Sequence, residues 1–290
     1  MLRALSSGVS GIQQFQNSID VIGNNIANSN TIAFKASRTD FADAFSQTLQ
    51  VSSASSSGAG QPGMQVGSGV TTSAVKNMFT QGAINRTGVG TDLAISGDGF
   101  FMVKDAISNT EYATRAGDFR LDDSGYLITN TGLRVQGFDS NNNTSSGPRG
   151  DVKIDLLGVP ATTSPTATMT TFNIGKDGGI NIHMSDGTEF LRASIALQRF
   201  TDPQALLKQG DNLYSGIGAA GPLGGTASPL AQLPGTNGLG EIQSGSLELS
   251  NVDLANEFAN LITAQRGFQA SARIITTSDE ILQELVNLKR

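Results

Sequence analysis

Apolar residues recur every seven positions at both ends of the chain and alternate along its middle. Over the first 31 residues, Leu5, Ile12, Ile19 and Ile26 form one row, Leu2 and Val9 a second, Phe15 and Ile22 a third. A seven-residue repeat marks one face of a helix, so the spacing predicts an amphipathic helix and not a strand. Gly8, Gly11 and Gly23 interrupt it. Each costs roughly 1 kcal/mol against Ala in a helix interior. Such a helix needs partner contacts, and glycine lets another backbone approach closely. At the other end, Leu254, Leu261, Phe268, Ile275 and Leu282 again sit seven apart. Phe258, Ala272 and Val286 flank that row, and Ile274, Ile281, Leu285 and Leu288 widen it. Ser250 or Asn251 reads as the N-cap, with Asp253 in the first turn facing the positive end of the helix. Lys289 and Arg290 close it at its negative end. A helix from 251 to 288 spans roughly 57 Å. Neither terminal helix can bury its stripe alone, so the simplest arrangement pairs them as a helical hairpin with everything between as one long insertion.

The middle reads as β. Leu93 and Ile95, Phe119 and Leu121, Tyr126 and Ile128, and Leu133 and Val135 are short alternating pairs. Gly97-Asp98-Gly99, Asp122-Asp123-Ser124-Gly125 and Asn130-Thr131-Gly132 separate them as turns. Further on, Phe172 and Ile174, then Ile180, Ile182 and Met184, then Leu191, Ala193, Ile195 and Leu197 are divided by Lys176-Asp177-Gly178-Gly179 and Ser185-Asp186-Gly187. This pattern predicts antiparallel hairpins. Ser52 to Gly63, Asp139 to Gly150 and Gly216 to Gly240 read as Gly-, Ser- or Asn-rich connections. The expected fold class is α+β, a discontinuous terminal α-helical coiled-coil domain flanking a central antiparallel β-rich domain. Residues 1–35 pair with 245–290, 36–76 form an extended linker, 77–215 the β-rich outer domain and 216–244 a return linker.

Composition removes several function classes. The 290 residues include no Cys, one His and no Trp, with 19 Lys and Arg against 25 Asp and Glu. Without Cys there is no disulfide scaffold, thiolate metal site or thiol nucleophile. With His183 alone, no multi-histidine metal site can form. A net charge of −6 without a basic run argues against nucleic acid as a partner. No apolar run approaches a membrane span. Between Met1 and Thr31 only Arg3 and Asp20 are charged. Amides and hydroxyls on the remaining polar face suit a helix surrounded by other helices, where ions would be costly to desolvate.

Candidate chemistry is sparse. Gly88-Val89-Gly90 begins a dinucleotide-like pattern, but Leu93 replaces the third glycine and no helix follows. His183 stands between Ile182 and Met184 in an alternating strand, with no nucleophile motif beside it. Asp122-Asp123 lacks the spacing of a calcium loop. Asn85-Arg86-Thr87 and Asn142-Asn143-Thr144 match the glycosylation pattern, and Met64, Met78 and Met102 do not cluster in sequence. The expectation is no catalytic residue, no cofactor, no metal, no small-molecule substrate and no enzymatic activity. A secreted carbohydrate-active or proteolytic enzyme with a β domain would need a carboxylate pair or triad, and the sequence shows none; a surface adhesin would leave the uncharged terminal helices unexplained.

Four segments resemble the axial proteins of the bacterial flagellum. Asn24, Asn25, Ile26, Ala27 and Asn28, with Thr31, Phe34 and Lys35, are similar to the family's N-terminal signature, with Ala33 where the family usually has glycine. Thr91 to Ile95 with Gly97 to Phe101 resembles its second signature, Tyr112 to Phe138 its following β-meander, and Ser250 through Gln265-Arg266 to Arg290 its C-terminal signature. The resemblance implies a hollow helical homopolymer, with terminal helices in an inner coiled-coil layer and the β domain outside. It implies subunits exported by the type III apparatus, found in the flagellar basal body and hook, and extracellular after export. Asn251-Val252-Asp253-Leu254, Val135-Gln136-Gly137-Phe138 and the ending Glu280 to Leu288 resemble the hook branch. That branch implies a universal joint passing torque from rod to filament, with the distal rod protein, hook cap and hook–filament junction proteins as partners. The short chain and the Ser52 to Gly63 stretch resemble the distal rod instead, and that is the alternative. Leu5, Ile12, Ile19, Ile26, Leu254, Leu261, Phe268, Ile275 and Leu282 are the expected polymer contacts. Phe268→Ala is expected to cost roughly 3–5 kcal/mol if that ring is fully buried. Isolated chains are expected to leave their termini disordered.

Overall fold

The computed structural model describes residues 2–52, 62–139, 149–156, 159, 167–222, 232–236 and 238–288. Most of the Ser52–Gly63 and Asp139–Gly150 stretches, the middle of Gly216–Gly240, and Lys289 and Arg290 lie outside the described residues. The chain divides into two compact units, one of Met1–Ser29, Ala36–Met78 and Val252–Arg290, the other of Asn30–Lys35 and Phe79–Asn251. Terminal helices flank a central antiparallel β-rich region, the α+β organisation that the sequence predicts.

The first unit holds α1 (Leu2–Ala27), β1 (Ser37–Asp43), β2 (Ser46–Gln50), β3 (Met64–Gly67), β4 (Val70–Asn77) and α2 (Leu254–Leu288). At 1.5 Å per residue the helices are roughly 39 and 52 Å long. The N-cap of α2 is Asp253, not Ser250 or Asn251. Its Oδ1 accepts from the Ala255 and Asn256 backbone N–H groups at 2.9 and 3.3 Å. The Asn251 side-chain amide is already committed to Thr80 O and Oγ1 at 3.2 and 2.8 Å. The extended 36–76 stretch forms two antiparallel ladders, β1 with β4 and β2 with β3, and β1 is kinked between Asp40 and Phe41.

The second unit is a set of antiparallel ladders. Its strands are β5 (Ile84–Arg86), β6 (Leu93–Ser96), β7 (Phe100–Lys104), β8 (Glu111–Thr114), β9 (Arg120–Leu121), β10 (Leu127–Ile128), β11 (Arg134–Asp139), β12 (Gly150–Asp151), β13 (Met169–Ile174), β14 (Gly179–Met184), β15 (Glu189–Ile195), β16 (Leu197–Gln198), β17 (Leu207–Gly210), β18 (Leu213–Ser215), β19 (Glu241–Ser244) and β20 (Ser246–Glu248). The main sheet runs β13-β14-β15-β11-β7-β8-β18-β17, with β9, β10, β12 and β16 attached beside it. The predicted turns at Asp122–Gly125, Asn130–Gly132, Lys176–Gly179 and Ser185–Gly187 each close a hairpin. The Gly97–Gly99 turn does not: β6 pairs with β19, placing Ile95 opposite Ile242, while β7 pairs with β8, β11 and β16. The core gathers the inward rows of these strands, including Leu93, Ile95, Phe101, Ile180, Ile195 and Leu197, all fully buried. A second cluster stacks Phe79, Phe100, Phe200 and Tyr214 edge to face.

Candidate functional site

Two features of the structure stand out: the helical hairpin of the first unit, and a buried polar knot in the second that holds the Asn30–Lys35 end of the N-terminal signature. Neither has the layout of an active site. His183 Nδ1 lies 2.8 Å from Glu189 Oε1 across the β14–β15 ladder, a partly exposed surface pair. Asp122 shapes the β9–β10 turn through its backbone. Gly88 lies in a loop bonded to Gly245. Among the described residues no group of three His, Cys, Asp or Glu side chains could hold a metal.

The hairpin is antiparallel, and small residues set its closeness. A Cβ built on Gly8 would stand 3.1 Å from Ile275, one on Gly11 would stand 2.9 Å from Ser271 Oγ, and one on Gly267 would stand 2.5 Å from the Phe15 ring. Gly8 and Gly11, which weaken α1 as an isolated helix, are therefore part of what admits α2, whereas a Cβ on Gly23 would meet nothing within 4 Å. On α2 the buried residues are Ala264, Ser271 and Ser278, themselves seven apart. The large heptad residues flank this seam instead of filling it. Leu5, Ile12, Ile19 and Ile26 are half-buried, as are Leu261, Phe268 and Ile275, while Leu254 and Leu282 are exposed. Beyond the other edge of the seam lie Ile274, Ile281, Leu285 and Leu288, within an arc of about 60° on the helical wheel. All four are exposed, Leu288 at 83 %. The register sets the start of α1 level with Glu280, so Ile281–Leu288 run about two turns past it with no cover from α1. The β2–β3 hairpin also displays apolar residues, with Leu49, Met64 and Val66 exposed on it and Phe45 and Val51 beside it.

The signature residues do local structural work. Asn24 O accepts from the Asn28 backbone N–H at 3.1 Å and from its side-chain amide at 3.0 Å, closing the end of α1. Asn25 is buried. It donates to Ser37 O at 2.8 Å and accepts from Ser37 N–H at 2.9 Å, as a strand neighbour would. It also donates to Glu257 Oε1 at 3.2 Å. Burial pushes the Glu257 carboxyl above its usual range, and the Asn25 bond opposes that push. Ala27 is exposed.

In the second unit the short segment Asn30–Lys35 is clasped by distant residues. Thr31 O accepts from Phe34 N–H, Ala33 N–H donates to Glu248 O at 2.8 Å, and Asn212 Nδ2 donates to Ile32 O at 2.6 Å. Lys208 Nζ donates to Lys35 O at 3.0 Å and lies 4.4 Å from the Phe34 ring centroid. Lys35 Nζ donates at 2.7 Å to both Thr80 O and Glu248 Oε1, with neither charged side chain exposed. Burial pulls the Lys35 ammonium below the usual lysine range, and the Glu248 carboxylate opposes that pull. Gly82 N–H adds a second bond to Glu248 Oε1 at 2.8 Å. Sequence reasoning missed Glu248 and the small-residue seam. The seam left a signal in the seven-residue spacing of Ala264, Ser271 and Ser278; in the knot the signature marked Lys35 but not its partner, because Lys35 and Glu248 stand 213 positions apart.

Comparison with known proteins matches this layout segment by segment. Family profiles match residues 5–35 as "Flagella basal body rod protein", 94–182 as "Flagellar hook protein FlgE/F/G D1 domain" and 243–288 as "Flagellar basal body rod FlgEFG protein C-terminal". The chain is 43% identical over 291 positions to the flagellar basal-body rod protein FlgG of Bacillus subtilis, covering 100% of both chains. It is 31% identical over 295 positions to FlgG of Borreliella burgdorferi, again covering 100% of both. Against the flagellar hook protein FlgE of Borreliella burgdorferi it is 28% identical, with full coverage of both chains but across 449 positions. The chain belongs to the flagellar rod and hook protein family, a family of structural components of the bacterial flagellum.

Proposed function

We propose that this chain is a distal rod subunit, polymerising into a straight hollow shaft of the flagellar basal body. The observation that carries the reading is length. Alignment to the rod proteins runs end to end over 291 and 295 positions, whereas alignment to the hook protein of the same organism as the second needs 449. A 290-residue chain leaves well over a hundred of those positions unfilled. The rod reading therefore takes precedence over the expected hook. The hook reading keeps one supporting observation, full-length similarity to FlgE at 28% identity.

Assembly has a physical basis in the hairpin. Ile274, Ile281, Leu285, Leu288, Phe258 and Ile262 are between 47 and 83 % exposed. Covering their open halves stabilises by on the order of 6 kcal/mol per chain, before the entropic cost of association. The face of a neighbour that covers them differs from the face that carries them, and such head-to-tail contacts propagate as an open helix. The heptad residues named in the sequence analysis line the same hairpin and serve as contacts within and between copies. Gold labelling of purified hook–basal bodies tests the assignment: label on the rod supports it, and label along the curved hook overturns it.

A further inference from the structure

A cleft of about 220 Å³ opens in the second unit beside the Gly97–Gly99 turn. Phe79, Phe100 and Phe200 give it aromatic walls, with neighbouring ring centroids 5.5 Å apart. Arg115 and Arg199 give it positive charge. Arg115 is buried with its guanidinium 5.1 Å from the Phe100 centroid, and it donates through one terminal nitrogen to Gly97 O at 3.0 Å. Its Nε has no hydrogen-bond acceptor among the described residues. Glu248 Oε2 lies 3.6 Å from that same terminal nitrogen, too far for a hydrogen bond, and has no donor among the described residues. Glu248 Oε1 is already occupied by Lys35 and Gly82. Arg199 is partly exposed and stands 3.7 Å from Asp98 Oδ2, again beyond hydrogen-bonding range.

The charges do not balance. Lys35, Arg115 and Arg199 face Glu248 and Asp98, three cations against two carboxylates. Residues outside the described set carry no Asp or Glu, so none of their side chains supplies the missing one. A guanidinium offers five donors in a planar fork matched to a carboxylate, and an incompletely paired buried one is costly. Aromatic walls add an apolar contact that a bare inorganic anion could not use. We propose that this cleft binds a carboxylate carried on a short aromatic or apolar stem.

Sodium benzoate is the probe and neutral benzamide its control. In amide NMR spectra of the full chain, benzoate shifts Gly99 and Thr201 saturably, with a dissociation constant on the order of 1 mM, and benzamide binds at least tenfold more weakly. Arg199→Ala weakens benzoate at least tenfold with an unchanged melting temperature. Equal response to benzoate and benzamide, shifts that never saturate, or undiminished binding to a folded Arg199→Ala variant overturns the proposal. The benzamide comparison uses the unaltered protein and stands whatever the variant does. Repeating the titration on assembled protein separates the sources: lost binding assigns the carboxylate to a neighbouring copy, and retained binding assigns it to a free small acid.

Discussion

Ala33 holds a φ of +56° with its methyl group fully buried. A left-handed backbone costs an L-residue roughly 1–2 kcal/mol, and replacing it by glycine returns that energy less about 0.4–1 kcal/mol of unfolded-chain entropy. Losing the buried methyl costs about 0.8 kcal/mol more, so Ala33→Gly is expected to be nearly neutral, within about 0.5 kcal/mol, read from denaturant midpoints at unchanged slope. Two positions on, the Lys35–Glu248 pair is fully enclosed. Glu248→Ala strands the ammonium and is expected to cost about 3–5 kcal/mol, and the double variant Lys35→Met with Glu248→Leu recovers only part of it, because the buried Arg115 and the Gly82 N–H lose the same carboxylate. A double-mutant cycle checks the coupling. The signature made residues 24–35 recognisable, but not their purpose. Asn25 mimics a strand partner and Lys35 a core residue, and each depends on a segment that folding alone brings near.

At the scale of the element, the helices were legible and their seam was not. Periodicity marks the large apolar rows because they stand out from a polar background, yet Gly8, Gly11, Ala264, Ser271 and Ser278 govern how closely α1 and α2 approach. Ser271→Ala is expected to be nearly neutral and Ser271→Leu to cost about 1–3 kcal/mol by overpacking, a contrast visible in thermal melts. Phe268 is half-buried within one chain, so Phe268→Ala costs about 1–2 kcal/mol in the isolated protein, below the figure for full burial. Glu257 adds a pH dependence. Its pKa in the folded state is raised, mainly by desolvation, so the folded chain holds this proton more tightly than the unfolded one. That contribution is complete below the unfolded carboxylate range and is lost as pH rises through the folded value. Melting temperatures of the parent and of Glu257→Gln, followed from pH 7 to pH 4, should show the parent gaining on the variant as the solution is acidified. In the β region, local turn chemistry marked four hairpins correctly, but the Gly97–Gly99 turn joins strands that pair elsewhere. The β6–β19 and β5–β20 ladders join residues more than 140 positions apart, and no turn signal reports such a pairing.

For the whole molecule, the terminal helices present more apolar surface than a single chain covers. Amide exchange across residues 2–27 should be faster in the isolated chain than in assembled material, because neighbours complete the burial. Equal protection in both states would mean that the hairpin is finished without company. Family membership was legible from the order of the signatures along the chain. The branch was not, because the profiles that match these segments cover hook and rod proteins alike. Electron microscopy of material assembled from the pure, full-length protein tests the distal-rod account most directly. A distal rod subunit gives straight hollow tubes. Curved tubes would contradict the rod assignment, and a protein that stays monomeric at high concentration would contradict self-assembly through the exposed helical faces.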